Sequence, residues 1–244
     1  MIALFTDFHP NDPYVGQMHV VLAQQAPGIS VIDLFHNLPA YNVKAAAYLL
    51  PAYCAQLPED CVVLAVVDPG VGGSRQAVML RVDKRWYVGP DNGLFELIRR
   101  RAKDLAMHRI DWRPERISDS FHGRDLFAPV AAQLATAHIP ESTISELQYD
   151  AADWPDDWPT VIYIDHYGNA ITGLRINRLN KEMAIVVNGI SIHYARTFGE
   201  VGSGECFWYV NANGLVEIAC NQDSAARTLA LNIGQAISVP QAKQ

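Results

Sequence analysis

The sequence predicts an α/β protein in two parts: an N-terminal, mainly parallel α/β sandwich domain and a small C-terminal antiparallel β domain. Three observations predict it. Up to residue 137, apolar runs of strand length alternate with stretches of helical periodicity, the pattern of parallel strands covered by helices. The run CVVLAVV at 61–67 is continuously apolar, as a strand buried on both faces should be. Beyond DWPDDWP at 153–159 the signals change to short strands joined by turns such as Asn188-Gly189, the strongest short hairpin signal.

The elements follow in order. MIALF at 1–5 has no basic flank, is ended by Thr6-Asp7 and is too short for a signal peptide, so it reads as the first strand. Asp12 can cap a helix with Pro13 at its first position, and Val15, Met18, Val21 and Leu22 then line one face. A strand at 29–35 follows. Asn42 is a second cap, for a helix over 43–57 that Pro51 should kink or split. The strand 61–67 delivers Asp68 at its carboxyl end, the edge at which open α/β sheets bind ligands. Strands near 77–82 and 86–88 come next, then a helix from Leu94 after the Asp91-Asn92-Gly93 turn, and an Ala- and Leu-rich helix over 125–137. Two prolines and three aspartates at 153–159 cannot continue a helix or a central strand, so this segment reads as a linker between domains at 1–152 and 160–244. In the second domain we expect a strand at 161–164, hairpins over 185–194 and 207–219, and a short helix near 224–231.

Composition narrows the classes of function. A chain of 244 residues, 50% hydrophobic and 18% charged, can bury a substantial core. A net charge of -7 disfavours nucleic-acid and anionic-membrane partners, whose binding draws on clustered Lys and Arg. The one basic run, Arg99, Arg100 and Arg101 with Lys103, reads as a solvated helix end. No apolar stretch reaches the ~18 residues of a membrane span. Cys54, Cys61, Cys206 and Cys220 lack the C-x-x-C spacing of a zinc or redox site and read as reduced thiols in a cytoplasmic protein.

Two short segments have the composition of a site. SFHGRD at 120–125 and VVDPGVGGSR at 66–75 place a histidine, aspartates and arginines beside glycines just outside apolar runs. Each residue also has a plainer reading: Asp68-Pro69-Gly70 as a turn, His122 as a loop histidine, Arg75 as a solvated charge. Arg124 and Asp125 open a helix, where Asp125 suits the positive end of the macrodipole, and read as structural. A dinucleotide loop at Gly70, Gly72 and Gly73 is a weak reading, because Arg75 stands where the third glycine belongs.

Several motifs in one order carry a resemblance: TDF at 6–8, DPYVG at 12–16, VVDPGVG at 66–72, PDNG at 90–93, FHGRDLFAPVAA at 121–132 and DHYGN at 165–169. In this order they resemble the S-adenosylmethionine hydroxide adenosyltransferases, the family that also contains fluorinating and chlorinating enzymes acting on the same substrate. The resemblance implies hydrolysis of S-adenosyl-L-methionine to adenosine and L-methionine by water or hydroxide attack at the ribose 5′ carbon, selective in some members for the R sulfonium epimer. It also implies a cytoplasmic homotrimer with active sites between subunits. No cofactor and no metal are expected, because the departing thioether is neutral and needs no protonation.

By the same resemblance, Asp68, Arg75 and His122 form the water-activating set. His122 or Asp68 accepts the proton, and the Arg75 guanidinium stabilises developing hydroxide. Asp7 matches the carboxylate that accepts from both ribose hydroxyls, and Tyr41 and Phe198 match aromatic residues around the nucleoside. Asp165 matches the carboxylate on the methionine ammonium, and Asn169 an amide on the adenosine part. Glu217, a carboxylate in an apolar strand, is a further substrate-binding candidate, or else an outward-facing position. The chain departs from the family pattern at His9 (usually glycine), Gly173 (usually asparagine) and Ala212 (usually serine). The extra loop of the halogenating members is not apparent, and Asp68, His122 and Gly123 replace their tyrosine, tyrosine and serine. A carboxylate would repel a halide, so water is the favoured nucleophile. A non-catalytic adenosine or S-adenosylmethionine-binding protein and a halide-using adenosyl transferase remain as alternatives.

Overall fold

Strand β1 (Ile2–Thr6) is buried along its whole length and lies between β2 (Val31–Phe35) and β3 (Val62–Val66), parallel to both. The computed structural model describes residues 1–145, 153–175 and 180–239. The chain divides into two compact units, Met1–Ala152 and Asp153–Gln244.

The first unit is built on a seven-stranded sheet of order β2-β1-β3-β5-β4-β6-β7, with β4 at Ala77–Val82, β5 at Arg85–Pro90, β6 at Leu105–Ile110 and β7 at Ser142–Ile144. Its first half is parallel through β3 and β5; from β5 outwards the pairings are antiparallel. Helices α1 (Pro13–Gln25), α2 (Val43–Cys54), α3 (Glu96–Arg101) and α4 (Ala128–Ala135) accompany it. Strand side chains alternate between faces. Ile2 and Leu4 of β1 with Val62, Leu64 and Val66 of β3 therefore share one core with Met18 and Leu22 of α1 and Val130 and Leu134 of α4. Phe5 points the other way, its ring 6.5 Å from that of Tyr53 on α2. All five residues of β3 are buried, which is why its sequence has no polar alternation.

Local signals act largely as read, with adjustments. Pro13 opens α1, but Asp12 makes no side-chain cap bond. Asn42 does cap α2, its Oδ1 accepting from Ala45 N at 3.0 Å. Pro51 does not split α2, which runs through it and ends at Cys54. The helix expected over 125–137 begins as a π turn, Gly123–Phe127, and becomes α-helical only at Ala128. The basic run ends α3 against a buried acid, with Arg99 and Arg100 both paired to Glu96.

The second unit holds a six-stranded sheet of order β10-β11-β12-β13-β9-β8. Its strands are β8 (Trp158–Ile164), β9 (Ala170–Arg175), β10 (Ile185–Val187), β11 (Ile190–Tyr194), β12 (Cys206–Val210) and β13 (Leu215–Cys220). Trp158 and Pro159, assigned above to the linker, open β8, an edge strand where a proline loses no ladder bond it needs. β10 and β11 form a hairpin with Asn188 at φ 50° and Gly189 at φ 77°, the two left-handed positions its turn requires. β11 and β12 run parallel, a departure from the antiparallel pattern of the rest, because the connection through the 3-10 turn Phe198–Glu200 carries the chain back before β12 begins. A short helix, α5 (Ala225–Thr228), is capped by Ser224.

The expectation of four reduced thiols is corrected in this unit. Cys206 and Cys220 are register partners across β12 and β13 and are joined by a disulfide. Cys54 and Cys61 are free and buried, and burial pushes the Cys54 thiol up to about 12, which leaves it inert as a nucleophile.

Candidate active site

The carboxyl end of β3 is pinned before the site begins, since Asn92 Nδ2 donates to the carbonyl of Val67 at 2.8 Å. Asp68 then starts a turn, its carbonyl accepting from Val71 N at 3.2 Å. The plain turn reading is thus correct for the backbone, but the side chain is used elsewhere. A second tight turn, Gly73 N to Gly70 O at 3.0 Å, brings Arg75 back onto the Asp68 carboxylate. Arg75 Nε lies 3.0 and 3.1 Å from its two oxygens, and Nη2 lies 2.5 Å from Oδ2. Both side chains are largely buried, at 5% and 11% exposure, so this fork-to-carboxylate pair is screened little by water.

Gly72 explains how this loop meets the one that carries His122. It sits at φ 77°, and a Cβ there would lie 2.5 Å from the carbonyl oxygen of Asp119. Only glycine allows the two loops to touch. The second loop is fixed by Asp125, whose Oδ2 accepts from Ser118 N at 2.8 Å, and by Arg124, which binds Asp125 and reaches Gln17 of α1 at 2.8 Å. The pair read as structural therefore holds the loop in place. His122 directly precedes the π turn, a distortion frequent at functional sites.

Arg75 Nη2 also lies 2.8 Å from His122 Nδ1. A guanidinium only donates, so Nδ1 accepts and the hydrogen of the neutral imidazole is on Nε2. Burial first, and then the neighbouring Arg75 charge, push His122 below the ordinary imidazole value. The histidine is held neutral, with Nε2–H left as a donor that no side chain or carbonyl among the described residues takes up.

Asp68 and His122 line a cavity of about 160 Å³ together with Phe8, Tyr14, Val66, Val71, Ser120, Phe121 and Gly123. Phe8, Tyr14 and Phe121 form an aromatic wall, each ring within 5.7 Å of the other two. The sequence reading did not single out this wall, although its members stand inside the TDF, DPYVG and FHG motifs. Gly123 lets Phe8 close in: a Cβ there would lie 3.1 Å from its ring.

Asp7, just past β1, accepts from Tyr41 N at 2.9 Å, and burial, with a smaller contribution from Asp68, raises its carboxyl above the usual range. Tyr41 has φ 62° and is 77% exposed, so its ring is a free face rather than core. These two residues lie in the first unit with Asp68, Arg75 and His122.

The other candidates lie in the second unit. Asp165 and Asn169 close the DHYGN turn on each other: Asp165 accepts from Asn169 N at 2.8 Å and from its Nδ2 at 3.0 Å. Glu217 is 5% exposed and accepts from Tyr209 OH at 2.6 Å and Asn211 Nδ2 at 2.9 Å. It faces inward, against the outward-facing alternative, and burial raises its carboxyl, with Asp165 adding to the effect. Phe198 packs edge-on against Phe207 and Tyr209. Tyr209 and Asn211, the partners of Glu217, were not anticipated.

Comparison with known proteins covers both units. Residues 2–143 match the model of the SAM hydroxide adenosyltransferase N-terminal domain, and residues 159–238 that of the C-terminal domain. The chain is 40% identical to an (R)-S-adenosyl-L-methionine hydrolase of Thermus thermophilus, over 97% of this chain and 98% of that one. It is 35% identical to a protein of the same name from Salinispora arenicola, over 98% and 97% of the two chains. A crystal structure of a conserved protein from Thermotoga maritima superimposes with a TM-score of 0.88 at 27% identity, covering 99% of this chain and all of that one.

Proposed function

This chain belongs to the SAM hydroxide adenosyltransferase family, and from that premise we propose that it hydrolyses S-adenosyl-L-methionine to adenosine and L-methionine, favouring the R sulfonium epimer. The observation that carries the reading is the Asp68–Arg75–His122 cluster at the edge of a partly apolar cavity.

The chemistry follows from the cluster. A water oxygen forms a bond to the ribose 5′ carbon as the carbon–sulfur bond breaks, and the electron pair of that bond neutralises the sulfonium to a thioether. The leaving group takes no proton, so the site has to orient one water, accept its proton and exclude the rest. Asp68 is the acceptor in this reading. His122 Nδ1 is occupied by Arg75, and its Nε2–H donates to the water oxygen and orients it. Arg75 holds the carboxylate in place through its fork and offsets the charge that develops on the attacking oxygen. The proton passes from Asp68 to solvent after product forms.

Asp7 holds the ribose hydroxyls, Tyr41 and Phe198 flank the nucleoside, and Asp165, Asn169 and Glu217 receive the polar groups of the substrate. The resemblance supports a homotrimer with sites between subunits, tested by light scattering. It also supports a cytoplasmic setting, which fractionation of cells producing the protein tests.

The central experiment is chromatography of the protein incubated with both sulfonium epimers, beside an Asp68→Ala control. Adenosine and methionine formed only by the unmodified protein, with the R epimer consumed first, is the expected result. Bound nucleoside without product would instead make the chain a binding protein, and a 5′-halogenated nucleoside formed in chloride or fluoride would make it a halide-using transferase.

A further inference from the structure

His36 is a buried titratable group that the chemistry above does not use. It follows β2, is 6% exposed, and has both ring nitrogens engaged. Nε2 lies 3.0 Å from Asp33 Oδ1, so in the neutral ring Nε2–H donates there. Nδ1 is then an acceptor, and the fully buried Thr6 hydroxyl donates to it at 2.8 Å. The same hydroxyl oxygen accepts from Phe8 N at 3.2 Å, and the His36 carbonyl accepts from His9 N at 2.8 Å. The bonds form one directed chain from the backbone of the TDFH segment, through Thr6 and His36, to Asp33. Asp33 is itself held from a second side, since His19 of α1 lies 2.7 Å from the same oxygen. Thr6 directly, and Phe8 through Thr6, are thus tied to the imidazole, while His9 is held by the backbone carbonyl of the same residue.

We propose that the His36 side chain is a positioning group for the nucleoside end of the site: by linking Thr6 and Phe8 to Asp33, it fixes the segment that presents Asp7 to the ribose hydroxyls. This rests on the reading that Asp7 receives those hydroxyls. Asp7 already accepts one bond from Tyr41 N, and a carboxylate that must also accept from two hydroxyls cannot tolerate a shift of its backbone. A displacement of about 1 Å is enough to lose most of a positioned contact.

The test is adenosine binding by calorimetry on the full chain, with S-adenosylmethionine kinetics in parallel. His36→Phe keeps a ring of similar size and removes both side-chain bonds; Thr6→Val breaks the same chain at its other end and serves if the first variant does not fold. Each should weaken adenosine binding about tenfold and raise KM more than it lowers kcat. In an Asp7→Ala background neither should have a further effect, and 2′,3′-dideoxyadenosine, which lacks the hydroxyls, should bind all variants alike. Unchanged adenosine affinity in a folded His36→Phe or Thr6→Val protein overturns the proposal. So does an additive loss in the Asp7→Ala background, which is what a merely structural histidine would give. If Asp7→Ala itself leaves adenosine affinity unchanged, or the unmodified chain binds no adenosine, the reading of Asp7 falls and this proposal with it. Adenosine binding without hydrolysis would overturn the proposed activity and leave the role of His36 standing.

Discussion

Arg75 and His122 are joined by one hydrogen bond, 2.8 Å from Nη2 to Nδ1, and that bond decides which imidazole nitrogen carries the hydrogen. The same nitrogen of Arg75 lies 2.5 Å from Asp68. A lysine cannot present a planar fork to both partners. Arg75→Lys should therefore lower kcat about 10²-fold or more while leaving the fold intact, and steady-state kinetics beside circular dichroism checks it. Near-native turnover would show that the two partners do not need a common donor.

Acid should switch the site off. A proton on Nδ1 of His122 displaces the bond from Arg75 and sets two cations side by side. Since burial and Arg75 hold its pKa down, the neutral form persists below the ordinary value of about 6.5. The group is neutral above its lowered pKa, so activity is present at neutral pH and lost as pH falls through that value. The acid limb of kcat/KM should have its midpoint below about 6.5 and should vanish in the residual activity of His122→Gln. A midpoint above that value would contradict the assigned environment.

Gly72→Ala should damage stability and activity together. The residue would have to hold φ 77°, which costs about 1–2 kcal/mol in an L-residue, and its Cβ would strike the Asp119 carbonyl. A thermal midpoint lower by at least a few degrees is expected, because about 1 kcal/mol moves a protein of this size by roughly 2–4 °C. Turnover should fall further than that loss explains, since the Asp68 and His122 loops are forced apart.

His9 stands at φ 61°, the left-handed region, which gives a physical reason for glycine being usual at this position of the family. Its Nδ1 accepts from Asn11 N at 3.4 Å, a weak local bond. His9→Gly should leave the melting temperature nearly unchanged, relief of strain being offset by the entropy of the more flexible unfolded chain. His9→Val should lower it clearly, because a β-branched residue is a true outlier there. Calorimetry of both variants separates these expectations.

The parts legible in the sequence were those with a local cause. The apolar run of β3, the Asn42 cap and the Asn188-Gly189 hairpin each follow from a few neighbouring residues. β6 and β7 escaped notice, β6 because it is half-exposed with no continuous apolar signature and β7 because it is only three residues at the edge of the sheet. The parallel pairing of β11 and β12 was likewise hidden, because it depends on where a connection returns rather than on the composition of either strand.

The same division holds for the site. Asp68, Arg75 and His122 could be named from short motifs, and they do meet. What could not be read was the tautomer of His122, which depends on a partner 47 residues away, or the packing of Phe8, Tyr14 and Phe121 drawn from three separate segments. The disulfide between Cys206 and Cys220 depends on strand register and not on spacing.

The π turn at Gly123–Phe127 carries one more residue than an α-helical turn between His122 and the body of α4. In a regular helix each residue turns the chain by about 100° and advances it 1.5 Å. A π turn takes more residues to close the same revolution, so the extra residue is absorbed within 123–127, and α4 packs as a regular helix while His122 stays beside Arg75. The irregular stretch therefore coincides with Gly123, Arg124 and Asp125, whose packing and hydrogen bonds already hold this loop, and substitution at any of them will be felt first at His122.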